Sequence, residues 1–277
     1  YLVDIPTQKI LDATSKIAQG DFNINLEIKH NHKKFNEYDA IMENINIMSK
    51  ELSKNELLKS NFISNVSHEI KTPLSVIQNY ATLLQKSKLT KQEREKYLQE
   101  LIIATKRLSN LITNILKLNK LENQQLKPEI TTFNLAEELR LAILQYEELI
   151  DNKNITLNCD IDDIDVSSSK DLLQLVWNNL ISNAIKYTEQ KGKILVTLKK
   201  QEDYAIVKVN DTGIGISKEV GKHIFDKFYQ GDTSHAREGN GLGLALVKEV
   251  IDILGGEIDV ESEVGVGSCF TIKLKIN

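Results

Sequence analysis

Three prolines, two cysteines and a single tryptophan in 277 residues set the first limits on this chain. So little proline leaves room for long helices. Cys159 and Cys269 lie far apart and without metal-ligand spacing. That leaves no disulfide framework and no cysteine zinc site in view, and it suits a reducing compartment. Positive charge is not in excess: 35 Lys and Arg stand against 39 Asp and Glu, for a net charge of −4. The electrostatic footprint of a nucleic-acid binder is therefore missing, and no direct nucleic-acid partner is expected. No apolar run nears the ~18 residues that cross a bilayer, and no signal peptide is visible. The chain opens at Tyr1 inside a helical pattern, which suggests a piece of something longer. What is present is length, 277 residues being enough for two domains or one large one, and a hydrophobic fraction of 41% that supports a real core.

Residues 1–53 carry two short apolar stripes. Ile10, Ala13 and Ile17 recur at helical spacing and stop at Gly20, a residue that ends helices by turning left-handed. Residues 21–34 have no helical period and read as a connector. Ile41, Ile45, Met48 and Leu52 form the second stripe. Two such helices bury too little alone and require a partner chain.

Residues 54–122 predict two longer helices. In the first, Ile63, Val66, Ile70, Pro73, Ile77, Tyr80 and Leu84 fall three and four apart, a seam for packing on other helices. His68 stands two residues from both Val66 and Ile70, about 200° around the helix from either, so it faces away from that seam. Glu69 adjoins it, with Lys71 and Thr72 on nearly the same face. Pro73 removes a backbone donor and is expected to bend the helix just past the histidine. Alone, the arrangement also fits a surface histidine on a bundle helix. After a polar break at 86–90, Thr90 and Glu93 have the spacing of a capping box. The second helix has a seam at Leu98, Leu101, Thr105, Leu108, Ile112 and Ile115 and ends near Leu121. The pair predicts an antiparallel hairpin whose apolar face a second copy would cover in a four-helix bundle.

Beyond a polar hinge at 123–127 the periods become mixed. Asn134 with Glu137 opens a helix to about residue 149, and a short strand follows at 155–157. A helix is expected over 170–187, strands over 193–199 and 204–210, and a helix over 242–254. A final hairpin pairs 257–261 with 268–276, where Phe270, Ile272, Leu274 and Ile276 alternate with polar residues. Strands and helices without regular βαβ alternation predict an α+β sandwich, one sheet with helices on one face.

Four short pieces of this last region carry chemistry. Asn179, Asn183 and Lys186 share a helix face, with Tyr187 next in line. An amide oxygen beside phosphates suits Mg²⁺, and an ammonium balances phosphate charge. An Asn pair on a helix is also ordinary polar surface. Asp211 precedes Gly213 and Gly215 at the end of a strand. It offers an acceptor for the exocyclic amine of adenine, although an Asp-Gly turn alone would look the same. Gly239, Gly241, Leu242 and Gly243 open the 242–254 helix, where backbone amides bind phosphate. The spacing is neither the dinucleotide nor the Walker pattern. Between these pieces Phe225 and Phe228 lead into a polar run, 230–238, that reads as a lid. The fourth piece, 265–268, fits a hairpin turn.

The His-Glu-x-Lys-Thr-Pro-Leu run around His68 resembles the phosphoacceptor motif of sensor histidine kinases of two-component signalling. The four pieces, in this order, resemble the asparagine, glycine-rich and phenylalanine boxes of the GHKL ATP-binding fold. Pro6, the Gly20-Asp21 pair and Glu37 give residues 1–53 a looser resemblance to a HAMP linker, for which a generic helical hairpin is the alternative. The resemblance implies three units: a HAMP-like linker over 1–53, a dimerisation and histidine phosphotransfer domain over 54–122, and a catalytic ATP-binding domain over 129–277. It implies a bacterial protein anchored in the inner or plasma membrane, with this part in the cytoplasm. It acts as a homodimer, using ATP and Mg²⁺ to phosphorylate His68 and then an aspartate in the receiver domain of a response regulator. Glu69 would take the other ring proton, and Thr72 would orient water in a phosphatase reaction on the regulator. Asn183 would ligate Mg²⁺ and Asp211 would read adenine. Asn179, Lys186 and Tyr187 would line the site, Gly213, Gly215, Gly239, Gly241, Leu242 and Gly243 would shape it, and Arg237 would reach the phosphates. The rival is a GHKL ATPase acting as a conformational clamp, with the His68 helices a dimerisation stalk.

Overall fold

The computed structural model describes residues 4–27, 37–86, 88–123, 128–231 and 239–276. They fall into two compact units, Tyr1–His68 and Glu69–Asn277. No helix among them is long and apolar enough to cross a membrane.

The first unit contains α1 (Asp4–Ala18) and the start of α2 (Glu37–Leu84). Gly20 closes α1 at φ +89°, the left-handed stop expected of it. The connector is extended where it is described, with Phe22, Ile24 and Leu26 half-buried on alternate positions. Two side chains of α2 lace it down. The Ser49 hydroxyl donates to the Phe22 carbonyl at 2.6 Å and accepts from the Ile24 amide at 3.2 Å. The Asn46 side chain accepts from the Leu26 amide at 2.7 Å and donates to its carbonyl at 2.9 Å. These bonds turn the buried face of α2 toward Met42, Ile45 and a fully buried Ser49, while Ile41 and Met48 stay exposed. The seam expected at Ile41, Ile45 and Met48 is thus shifted by one residue at two of its positions, because the polar strap decides which face is covered.

In the second unit α2 continues through Pro73 to Leu84, so the carbonyl of Glu69 lacks its helical donor. Pro73 is buried, and Ile70, Ile77, Tyr80 and Leu84 are half-buried. Thr90 caps α3 (Lys91–Glu122) with the reciprocal pair of a capping box. Tyr80 and Tyr97 bring α2 and α3 together, with ring centroids 5.5 Å apart. The buried line of α3 is Ala104, Leu111, Leu118 and Leu121, with Leu101, Leu108 and Ile115 half-buried. Leu98, Thr105 and Ile112, expected in the seam, are exposed. The helix is apolar on two adjacent stripes, and within one chain the stripe carrying the small Ala104 is the one covered.

The C-terminal end of α3 packs on the sandwich through α8. Strand β1 (Thr131–Asn134) pairs antiparallel with β3 (Asp165–Ser168). Between them run α4 (Leu135–Leu144), α5 (Glu147–Asn152) and β2 (Thr156–Ile161). Asn134 caps α4 by accepting from the Glu137 amide at 3.0 Å. The single helix expected to about residue 149 is two, broken at Gln145 and Tyr146, where the Tyr146 hydroxyl reaches the Asn178 carbonyl at 3.3 Å. Then follow α6 (Lys170–Tyr187), β4 (Lys193–Gln201), β5 (Tyr204–Asp211), α7 (Lys218–Gly221), α8 (Gly243–Ile253), β6 (Glu257–Glu263) and β7 (Gly267–Lys275). The sheet order is β2-β4-β5-β7-β6, with only β2 and β4 parallel. One face buries Ile194, Val196, Leu198, Ala205, Val207, Val209, Phe270, Ile272 and Leu274. Against it lie α6 and α8, bringing Val176, Trp177, Leu180, Leu246, Val250 and Ile251 into the core. The α+β sandwich with helices on one face is what the lack of regular βαβ alternation predicted.

Candidate functional site

Helix α6 buries Leu172, Leu173, Val176, Leu180, Ala184 and Ile185 on one side, and that stripe fixes where its polar side points. Asn179, Asn183, Lys186 and Tyr187 are half-buried there. The Asn179 side chain donates to the Leu175 carbonyl at 2.7 Å, which orients its oxygen outward. Asn183 makes no side-chain hydrogen bond among the described residues. The Lys186 ammonium donates to the Tyr187 hydroxyl at 3.0 Å and sits 4.5 Å from that ring's centroid.

The glycines of the 239–243 segment press directly on this face. A Cβ at Gly243 would lie 2.6 Å from the Asn179 side-chain oxygen, and one at Gly239 would lie 2.7 Å from the Lys186 nitrogen. Larger residues would fill the space over α6. Gly241 has φ +64° and its carbonyl accepts from the Phe228 amide at 2.9 Å. The Gln230 side chain donates to the Gly239 carbonyl at 3.0 Å. The residues that lead into the expected lid, Phe228 and Gln230, are therefore tied to the glycine segment. Arg237 and the rest of that run to 238 lie outside the described residues. The Leu242 side chain is buried in the core, and its backbone amide donates to the Asn240 side-chain oxygen at 3.2 Å. What Leu242 offers a ligand is position, not contact through its side chain.

Asp211 ends β5 and is only 6% exposed. Its carboxyl accepts from the Gly213 amide at 2.8 Å. Burial pushes its pKa up, while the Gly213 and Ser268 amides favour the charged form and partly offset this. A Cβ at Gly213 would strike the Tyr187 carbonyl, 2.6 Å away, so this loop closes on the C-terminal end of α6. The 265–268 turn, expected only to reverse the chain, is the loop's buttress. Gly265 donates to the Ile214 carbonyl at 2.8 Å, and a Cβ at Gly215 would lie 1.9 Å from the Glu263 carbonyl oxygen. Three of the four pieces thus meet at α6, and the fourth braces one of them.

Sequence reasoning missed Lys153. Its ammonium donates to the carbonyls of Ile185, Lys186 and Thr188 at 2.7, 3.1 and 3.0 Å, closing the C-terminal end of α6 where the helix leaves acceptors over. No local pattern announces a lysine that bonds residues more than thirty positions away. Among the described residues no group of three His, Cys, Asp or Glu could hold a metal by itself. Mg²⁺ takes a donor set of oxygens that amide, water and phosphate can supply. The unpartnered Asn183 amide beside the glycine segment fits that donor set. His68 and Thr72 are exposed on α2, and Glu69 is half-buried.

Residues 58–124 match the His Kinase A (phospho-acceptor) domain, and residues 168–277 match the ATPase domain of histidine kinase, DNA gyrase B and HSP90 type. The chain belongs to the sensor histidine kinase family of two-component signalling. It is 31% identical over 275 residues to the heme sensor protein HssS of Staphylococcus saprophyticus, spanning 99% of this chain and 58% of that protein. Among solved structures, Acinetobacter baumannii histidine kinase AdeS superposes with a TM-score of 0.62 at 26% identity, covering 76% of this chain and 98% of AdeS. Histidine kinase ThkA, solved in complex with response regulator protein TrrA, gives a TM-score of 0.66 at 26% identity, over 81% of this chain and 64% of that one. The match to the phospho-acceptor domain takes in His68, and the match to the ATPase domain takes in all four pieces.

Proposed function

We propose that this chain uses ATP to phosphorylate its own His68 and passes the phosphoryl group to an aspartate in the receiver domain of a response regulator. The observation that carries the reading is the convergence of the Asp211 loop and the 239–243 glycines on the polar face of α6. The Asp211 carboxylate accepts a hydrogen bond from the exocyclic amine of adenine. The amides at the start of α8 and the glycines before it receive the phosphates, and Lys186 balances their charge. Asn183 would hold Mg²⁺ through its amide oxygen, and the ion would supply charge neutralisation for the phosphate oxygens. A neutral His68 ring nitrogen forms a bond to the γ-phosphorus as the bond to the ADP oxygen breaks, and Glu69 holds the other ring proton. On transfer, the N–P bond breaks as a regulator carboxylate oxygen takes the phosphoryl group. Thr72 orients the water that hydrolyses the regulator's acyl phosphate in the phosphatase reaction.

Leu98, Ile102, Ile112 and Leu116 are 45–57% exposed on α3; a second copy covers them in a four-helix bundle. The division proposed is a HAMP-like linker over 1–53, a phosphotransfer domain over 54–122 and a catalytic domain over 129–277, in a membrane-anchored parent that presents these units to the cytoplasm. A relative solved with a response regulator supports the choice of partner. Incubation with γ-labelled ATP tests the reading. Label stays on the protein, labile in acid and stable in base, and His68→Gln loses it while still binding nucleotide. Phosphate release with no labelled protein would instead establish the conformational clamp.

A further inference from the structure

The hydroxyl of Ser262, on β6, has three polar neighbours. It accepts from the Ile216 amide at 2.8 Å, donates to the Gly267 carbonyl at 2.8 Å, and lies 2.9 Å from the Ser268 hydroxyl. A serine hydroxyl has one donor and two acceptor sites. With its proton on the Gly267 carbonyl, it accepts from both Ile216 and Ser268, and every site is used. The three bonds tie together two stretches that both handle Asp211. Ile216 ends the loop that starts at Asp211 and carries Gly213, whose amide donates to the carboxyl at 2.8 Å. Ser268 stands opposite Asp211 in the β5–β7 register, and its backbone amide favours the charged carboxyl. Neither stretch has slack: a Cβ at Gly267 would lie 1.9 Å from the Asp211 carbonyl oxygen, and one at Gly215 an equal distance from the Glu263 carbonyl oxygen.

We infer that Ser262 is the positioning residue for base selection: by pinning the Asp211 loop to the β6–β7 turn, it holds the Asp211 carboxyl where an adenine amine, and not a guanine carbonyl, is accepted. The inference rests on the reading of Asp211 given above. A carboxylate held in one place discriminates strongly, because a guanine carbonyl would face it with no donor between them. A carboxylate free to swing lets water in and discriminates less.

The experiment compares ADP and GDP affinity by calorimetry for the full chain and for Asp211→Asn, Ser262→Ala, Ser262→Cys and Ser262→Thr. Asp211→Asn is expected to lose most of the preference for ADP. Ser262→Ala should lose about tenfold of it, mainly by weakening ADP, and Ser262→Thr, which keeps the hydroxyl, should retain it. Ser262→Cys weakens the hydrogen bonds without opening a cavity and is expected to follow Ser262→Ala, so the test survives if the alanine variant fails to fold. A Ser262 variant that weakens both nucleotides by one factor, or neither, overturns the inference while Asp211→Asn still supports the adenine reading. A preference for ADP retained in Asp211→Asn overturns both.

Discussion

Lys153→Met puts a number on how much the end of α6 matters. Methionine keeps the length and apolar stem of lysine and removes its donors. Three carbonyls, of Ile185, Lys186 and Thr188, then lose a partner now 2.7–3.1 Å away. A hydrogen bond to a charged group is worth about 1.5–3 kcal/mol net, and several sharing one ammonium do not add. A cation at a helix C-terminus contributes about 0.3–1 kcal/mol more. Lys153 is half-buried, so water replaces part of what is removed, and the expected loss is about 2–4 kcal/mol. For a chain of this size that lowers the melting temperature by roughly 3–7 °C. The last turn of α6 also carries Lys186 and Tyr187, so affinity for Mg-ADP should fall about tenfold. Circular dichroism melting and calorimetric titration read the two effects, with Lys153→Arg as the control that keeps the charge. A Lys153→Met protein within about 0.5 kcal/mol of the parent, the range of an ordinary surface substitution, would show that the three bonds hold nothing together.

Asn183→Ala should abolish the Mg²⁺ dependence of nucleotide binding and leave melting almost unchanged, because its side chain bonds nothing in the described protein; unchanged Mg-ATP affinity would remove it from the metal site. Gly215→Ala combines φ +68° with a Cβ 1.9 Å from the Glu263 carbonyl oxygen, and denaturant titration should find about 3 kcal/mol or more lost. The pH dependence follows from the raised pKa of Asp211. Its folded value lies above its unfolded one, so the group's contribution to stability is present below the ordinary value of 3.8 and lost as pH rises through the folded value. Nucleotide binding runs the other way, since the adenine amine requires the carboxylate. Affinity for ADP should therefore begin to fall, on acidification, at a pH above 3.8; an acid limb of equal size in Asp211→Asn would assign it to another group.

Elements whose signal is local were legible before any coordinates. Helix α6 begins and ends at the expected residues, and β4, β5, α8 and β7 lie within two residues of expectation. Their patterns, a helical stripe or strict alternation, involve only neighbours. Strands β1 and β3 were not foreseen, because four residues of each pair across a separation of more than thirty and neither has a period of its own. The break at Tyr146 depends on a carbonyl of α6. The phase of α3 depends on which of two apolar stripes finds a neighbour. In the site, residue types could be named in advance; what could not be named was what holds them. Lys153 bonds backbone more than thirty residues on, and Ser262 accepts from the Ile216 amide across 46 residues; sequence records no sign of either.

The segment of α2 from Glu37 to His68 contains neither proline nor glycine, and it is helical throughout. At 1.5 Å per residue that is about 46 Å of continuous rod. The connector grips this rod at Asn46 and Ser49, 22 and 19 residues before the histidine. Proline first interrupts the rod at Pro73, five residues beyond it. In mechanical terms the gripped shaft has no joint between the place where it is held and His68. The first residue to remove a backbone donor from the shaft is Pro73, so from Ser49 to His68 no proline costs the helix a hydrogen bond.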